Sequence, residues 1–275
     1  MLKFGNTFVN VGGTYLTDWT AYINPNPLNL PTNTIRAKFA SGYTPETSSN
    51  WTLVDSNENI WDVYFSSQSW LRLFSYPNSY NLIYILGINA TNVSRFAEAF
   101  LGCSYLTNID YIYVSDNNIT TTESMFSNCI SLVSVPLFNT SNVSSMERMF
   151  YSCRNLSELP AFDTSKVTTM NNMCWKCTSL TNIPLFDTSN VTDMNSTFSN
   201  CTSLTNIPLF DTTKVQDMNY TFSTCTNVQS GALALYQQAS TQTTPPVNHY
   251  QTFYNCGTNT QTGAAELAQI PSDWK

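Results

Sequence analysis

Cys174 and Cys177 share a Cys-x-x-Cys spacing, which a redox pair or half of a zinc site would use. A closed zinc site needs four such ligands. The chain has eight Cys, one His (His249) and no second Cys-x-x-Cys pair. The other thiols keep a different order: Cys129, Cys153, Cys177, Cys201 and Cys225 are spaced by 24 residues. Carboxylates follow the same period. Asp163, Asp187 and Asp211 form one column, with Asn139 ahead of them, and Asp193 and Asp217 form a second. Stacked carboxylates could share a calcium ion. An Asp followed by Thr-Ser or Thr-Thr also caps its own turn, and this is the expected role. Nucleophilic acyl transfer needs a base and an orienting group. One His in a divergent loop gives no readable triad, and no Gly-rich phosphate loop occurs. The expectation is a chain that is not an enzyme and holds no metal or cofactor. Its thiols are then reduced, small, buried groups.

The period that groups these residues also sets the architecture. From Phe162 the chain reads FDTSKVTTMNNMCWKCTSLTNIPL and from Phe186 FDTSNVTDMNSTFSNCTSLTNIPL, with 17 of 24 positions identical. A period in this range marks a solenoid, in which each unit buries its apolar side against its neighbours. Between Cys177 and Cys201 the apolar columns are Leu180, Ile183, Leu185, Phe186, Val191, Met194 and Phe198. Leu82, Ile85, Ile88, Val93, Phe96, Phe100 and Cys103 fit the same register, and a two-residue insertion falls near Ser115–Asn118. Phe253 and Cys256 repeat the last step. The segment Leu-x-x-Ile-Pro-Leu reads as a strand, paired in parallel with its copies about 4.8 Å apart. Val-x-x-Met reads as a second, weaker strand. Met194–Cys201 is long enough for one or two helical turns.

The Phe-x-x-Cys-x-x-Leu-x-x-Ile pattern with FDTSNVTDM, over about residues 76–256, resembles the BspA-like leucine-rich repeat of bacterial surface proteins. The resemblance implies a surface adhesion or recognition role. The expected fold class is an α/β solenoid of 24-residue leucine-rich units with a parallel β-sheet, an N-terminal α/β cap and a helical C-terminal cap.

The ends depart from the period. Residues 1–33, rich in Gly, Asn, Thr and Pro, read as an attachment segment. Its Lys3-Phe4-Gly5 and Val11–Leu16 strings resemble those of tail and appendage proteins in phages of gut bacteria. Residues 34–75 read as a capping module: strands at Thr34–Phe39 and Trp51–Val54, then a helix over Ile60–Phe74 with Trp61, Tyr64, Phe65, Trp70, Leu71 and Phe74 at helical spacing. Asp55 or Asn57 would start that helix. Residues 76–230 form the repeat, and 231–275 form a C-terminal cap with helices at Gly231–Gln238 and Gly263–Ile270.

Composition narrows the partners. Charged residues are 11% of the chain and the net charge is −7, which opposes a nucleic-acid footprint and polybasic membrane attachment. No apolar run approaches the roughly 18 residues that span a bilayer. The N-terminus lacks the apolar core of a secretory signal. The expected protein is a virion component, on a tail or head, made in the host cytoplasm. Residues 1–33 would contact other virion proteins, the repeat face would contact a host-surface glycan or protein, and a homo-oligomer is possible. The alternative is a cell-surface adhesin of the BspA type. Candidate contact residues are Thr181, Asn182, Thr205 and Asn206 on the strand face, and Tyr151, Trp175, Arg154 and Lys176 beside the Cys column. Tyr151 and Trp175 could stack on a ligand, or pack against the adjacent turn.

Overall fold

Thr34–Phe39 alternates apolar and polar residues, as a half-buried strand must, and it forms β1 of a six-stranded open sheet. The computed structural model describes residues 28–41, 51–64, 81–114 and 118–275. Residues 1–27 of the expected attachment segment, the Phe65–Phe74 part of the expected helix and the insertion at 115–117 lie outside them. β2 is Trp51–Asp55, β3 Ile60–Tyr64, β4 Leu82–Ala90, β5 Asn108–Ile109 and β6 Ile112–Val114. The order is β2-β3-β1-β4-β5, with β6 also on β4. Pairing is antiparallel from β2 through β4 and parallel from β4 onward.

Ile60–Tyr64 is a strand, so the helix expected over Ile60–Phe74 does not begin there. Its β-branched and aromatic residues suit a pleated surface, and both of its edges are taken, by β1 and β2. Asp55 caps a turn instead of a helix: its Oδ1 accepts from the amides of Asn57 at 2.8 Å and Glu58 at 3.2 Å. Asp62 is buried in β3 because Arg36, directly across on β1, holds it bidentately at 2.7 and 2.8 Å. A paired guanidinium and carboxylate of this geometry is among the stronger polar contacts. Gly87 in β4 is required by a close approach: a Cβ there would lie 2.1 Å from the Tyr111 ring.

The expected parallel sheet shortens abruptly after β6. From Cys129 to Cys225 the Leu-x-x-Ile-Pro-Leu segments are not strands. They make one backbone bond per step: Ser157 N–H to Val133, Thr181 to Ser157 and Thr205 to Thr181, at 3.1–3.3 Å. The reason is Pro136, Pro160, Pro184 and Pro208, which lack the N–H a ladder needs. β4 with β5 and β6 carries no Pro at that position and pairs at Tyr84, Ile85, Ile88, Asn89 and Ala90.

The Val-x-x-Met side is the better bonded one, contrary to expectation. Parallel bridges join Thr121, Ser145, Thr169, Asp193 and Asp217 in series. Beyond them the amides of Met146, Arg148, Phe150 and Ser152 donate to Thr169, Asn171, Met173 and Trp175 at 2.7–3.1 Å. The intervening amides of Met149, Tyr151 and Cys153 close turns on their own third predecessors. This is a run of tight turns and not the expected helical turn. It needs left-handed residues, supplied by Arg148 (φ 52) and Ser152 (φ 61) here and by Ser196 (φ 54) and Asn200 (φ 62) later.

One apolar cluster runs the length of the described chain. Phe100, Phe126 and Phe150 stack at 5.4 and 5.7 Å, and Phe198, Phe222 and Phe253 at 5.5 and 6.1 Å. Cys174 interrupts the series, and Phe162 leans in to 6.2 Å from Phe150. The Leu185 column differs from expectation: Leu137, Leu185 and Leu209 are 41%, 70% and 54% exposed. The Pro before each of them breaks strict alternation, so Ile183 and Phe186 both turn inward while Leu185 between them turns out.

The far end is closed by α1 (Ala232–Thr241), α2 (Gln261–Gln269) and a 3-10 turn, Ser272–Trp274. Gln242, just after α1, accepts from the Thr212 hydroxyl at 3.0 Å and donates to the Thr212 carbonyl at 2.9 Å. Thr140, Thr164 and Thr188 give the equivalent hydroxyl bond to the next repeat's backbone, so Gln242 stands in for a repeat that is not there. Leu180 is fully buried and Thr181 is exposed. Leu180→Ala should therefore cost about 2–5 kcal/mol and Thr181→Ala under about 0.5 kcal/mol in denaturant unfolding. Equal costs would contradict the assignment of inward and outward columns.

Candidate functional site

The residue types that could do chemistry are used internally. All eight Cys are free and buried. The thiols of Cys129, Cys153, Cys177, Cys201 and Cys225 donate to the carbonyls of Phe100, Phe126, Phe150, Cys174 and Phe198 at 3.0–3.2 Å. Each of those carbonyls also takes the amide of the Cys three residues on. A second donor to an already bonded, buried carbonyl explains a Cys where Val or Ala would fill the same space. Cys174 belongs to the Phe column, and its carbonyl takes the Cys201 thiol at 3.2 Å. No group of three or more His, Cys, Asp or Glu among the described residues could hold a metal ion. Burial pushes the thiols of Cys103, Cys153, Cys174, Cys201 and Cys256 well up, and that of Cys225 to about 12.

The Asp columns cap turns. Asp163 Oδ1 accepts from the Ser165 amide and hydroxyl at 3.0 and 2.7 Å, and Asp211 Oδ1 from those of Thr213 at 2.9 and 2.7 Å. These bonds from Thr213 hold the Asp211 carboxyl below its ordinary value. Asp193 and Asp217 accept from the amides of Asn195 and Asn219 at 2.8 Å each.

The candidate contact residues lie on two surfaces. On the first, Asn182 and Asn206 are exposed. The Thr181 hydroxyl donates to Ser157 O at 3.3 Å and the Thr205 hydroxyl to Thr181 O at 3.1 Å. The side chains thus form a fixed polar row. The exposed Leu137, Leu185 and Leu209 run alongside it, which the apolar periodicity hid by placing them with the core.

The second surface is the corner beside the Cys column. Tyr151 and Trp175 stack face to face, 4.6 Å between centroids and 15° between planes. Both are half-buried. The Lys176 ammonium lies 4.2 Å from the Trp175 ring centroid, a favourable cation–π distance. Arg154 is exposed and lines a depression of about 380 Å³ together with Lys176, Thr178, Asn200 and Thr202. The structure therefore brings Tyr151, Trp175, Arg154 and Lys176 to one corner, while Thr181, Asn182, Thr205 and Asn206 belong to the polar row. Thr178, Asn200 and Thr202 escaped sequence reading. The available signal was that they share repeat positions with Arg154 and Lys176.

A family model described as "Mycoplasma protein of unknown function, DUF285" matches residues 54–159, 120–236 and 154–261. No curated protein matches the chain. Among the described residues no helix is long and apolar enough to cross a membrane.

The raised thiols set a pH dependence. Unfolded thiols lose their protons near 9.0 and the folded Cys225 near 12. The stability these groups contribute is complete below about pH 9 and is lost as pH rises toward 12. The melting temperature should stay level from pH 6 to 8 and fall above pH 9. Alkylation at pH 8 should label few thiols in the native protein and all eight after unfolding. Full native labelling, or a melting temperature unmoved to pH 11, would contradict the buried-thiol account.

Proposed function

The chain belongs to the DUF285 family, which is related to BspA-like surface repeat proteins, and from that premise we propose that it is a non-enzymatic recognition protein. The scaffold in this reading is a leucine-rich repeat solenoid of 24-residue units, with residues 34–75 and 231–275 as its caps. Backbone bonds that step from Thr120 through Ser144, Thr168 and Thr192 to Gln216 support it. The observation that carries the functional reading is the division of labour in each repeat. Cys, buried Thr and Asp are spent on the fold, and the unspent variety lies outside, in the Tyr151–Trp175 corner and the Thr/Asn row.

The setting we favour is a phage particle, with the chain as a tail or head appendage. Residues 1–33 are then the attachment segment toward other virion proteins, joined to the cap at its end, where Leu30 is buried and Asn89 Nδ2 donates to the Leu30 and Pro31 carbonyls at 2.7 and 3.1 Å. The repeat face contacts the host surface. The relation to BspA-like proteins favours the second setting, an adhesin on a bacterial surface. Mass spectrometry separates them: the chain is stoichiometric in purified particles in the first and recovered with the cell envelope in the second.

Recognition itself is tested on cells. An aromatic contact contributes about 0.5–1.5 kcal/mol beyond buried area, so Tyr151→Ala with Trp175→Ala should weaken binding of the full-length chain to target cells about tenfold. Equal binding by the wild type and the double variant would remove the corner from the account. No binding by either would make a structural role in the particle the better reading.

A further inference from the structure

Charges are sparse in this chain, yet two cations meet in the depression beside the aromatic stack without an opposing carboxylate. The ion pairs among the described residues are Arg36–Asp62, Lys38–Glu58, Arg148–Glu147 and His249–Asp273. Neither Arg154 nor Lys176 takes part in one. The other three lining residues are Thr178, Asn200 and Thr202, and none is acidic. In a protein of net charge −7, such a corner stands out as a local positive site.

The hydrogen-bonding directions narrow the ligand. The Thr178 hydroxyl donates to Arg154 O at 3.2 Å and the Thr202 hydroxyl to Thr178 O at 3.4 Å. Their protons are committed, so both oxygens offer lone pairs to a visitor. Asn200 Nδ2 donates one of its two protons to Ser199 Oγ at 2.9 Å, which leaves its other N–H and its Oδ1 for a visitor. The depression thus offers two cationic donors and one amide N–H beside three acceptors. A bare inorganic anion would match the cations alone. A DNA backbone brings phosphate charges without hydroxyl donors for the acceptors. A sugar acid brings one planar carboxylate together with several hydroxyl donors, and it matches both sets. Arg154 can grip the carboxylate through its fork. The cation–π contact with Trp175 holds the Lys176 ammonium at the rim.

We propose that Arg154, Lys176, Thr178, Asn200 and Thr202 form a subsite for a carboxylate-bearing sugar, as found in acidic surface polysaccharides. The inference rests on the recognition reading above and names its ligand class. Exposed ion pairs are individually weak, so one sugar binds feebly. A polymer with a carboxylate on each residue, or a dense display, gains from multivalency.

The test uses the full chain on an array of galacturonic-acid, glucuronic-acid and sialic-acid oligosaccharides, each beside its carboxyl-reduced form. The acidic forms should bind at least tenfold more strongly than the reduced ones, and 0.5 M NaCl (a roughly threefold shorter screening length than at low salt) should weaken them. Arg154→Gln with Lys176→Gln should lose that preference while its melting temperature stays within about 2 °C of wild type, as expected for surface changes. Equal binding of acidic and reduced forms, or an undiminished double variant, overturns the subsite and leaves recognition standing. Binding to cells but to no saccharide on the array overturns it as well. Binding to neither overturns the subsite and the recognition reading together.

Discussion

The backbone ladder on the Met–Phe–Cys side is the constraint on which the rest of the structure depends. Alternate amides, those of Met146, Arg148, Phe150 and Ser152 in one copy, donate to the following repeat, and the amides between them close local turns. A buried peptide group without a partner is costly, and this arrangement leaves few unbonded without using strands or helices. It also dictates composition. Positions such as Arg148, Lys176 and Ser196 must be left-handed, and the Phe-column carbonyls gain a second donor from the Cys of the neighbouring repeat. With the backbone bonded there, the opposite side tolerates a Pro in each repeat.

Legibility in the sequence followed the same division. Inward columns repeat with little change, so Leu180, Val191, Met194, Phe198 and Cys201 could be read as core, and all are buried. The Asp-Thr-Ser turns were legible because an Asx-turn is local chemistry. Helix α1 and helix α2 were legible for the same reason. Leu185 and Leu209 were not, because hydrophobicity alone carries no direction once Pro184 or Pro208 interrupts alternation. Ile60–Tyr64 was misread because Trp61, Tyr64 and Phe65 fall at helical spacing, while the deciding partners, β1 and β2, are long-range. The tight turns from Met146 to Cys153 were not legible either. Their left-handed residues include Arg148, and Lys176 in the next copy, types that carry no turn signature.

The proposed contact residues lie where the ladder places no demand. Tyr151 and Trp175 occupy a position that is Ser127, Ser199 or Ser223 in other copies, and the aromatic pair sits beside the one break in the Phe series, at Cys174. Arg154 shares its position with Thr178 and Thr202, so the basic corner arises from substitutions at outward positions of a fold that is satisfied without them. Of the candidate residues, those at the corner form a concave site with mixed donors and acceptors. Those of the Thr/Asn row form a flat one whose hydroxyl protons are already used.

The ladder itself is most directly tested by native-state amide hydrogen exchange, resolved to single residues. The account predicts that the amides of Met146, Arg148, Phe150 and Ser152, and of Met170, Asn172, Cys174 and Lys176 in the next copy, are among the slowest to exchange. They should be far slower than the amide of exposed Asn182, which makes no backbone bond of this kind. If the two sets exchange at similar rates under native conditions, the ladder does not hold the repeats together, and the account built on it is wrong.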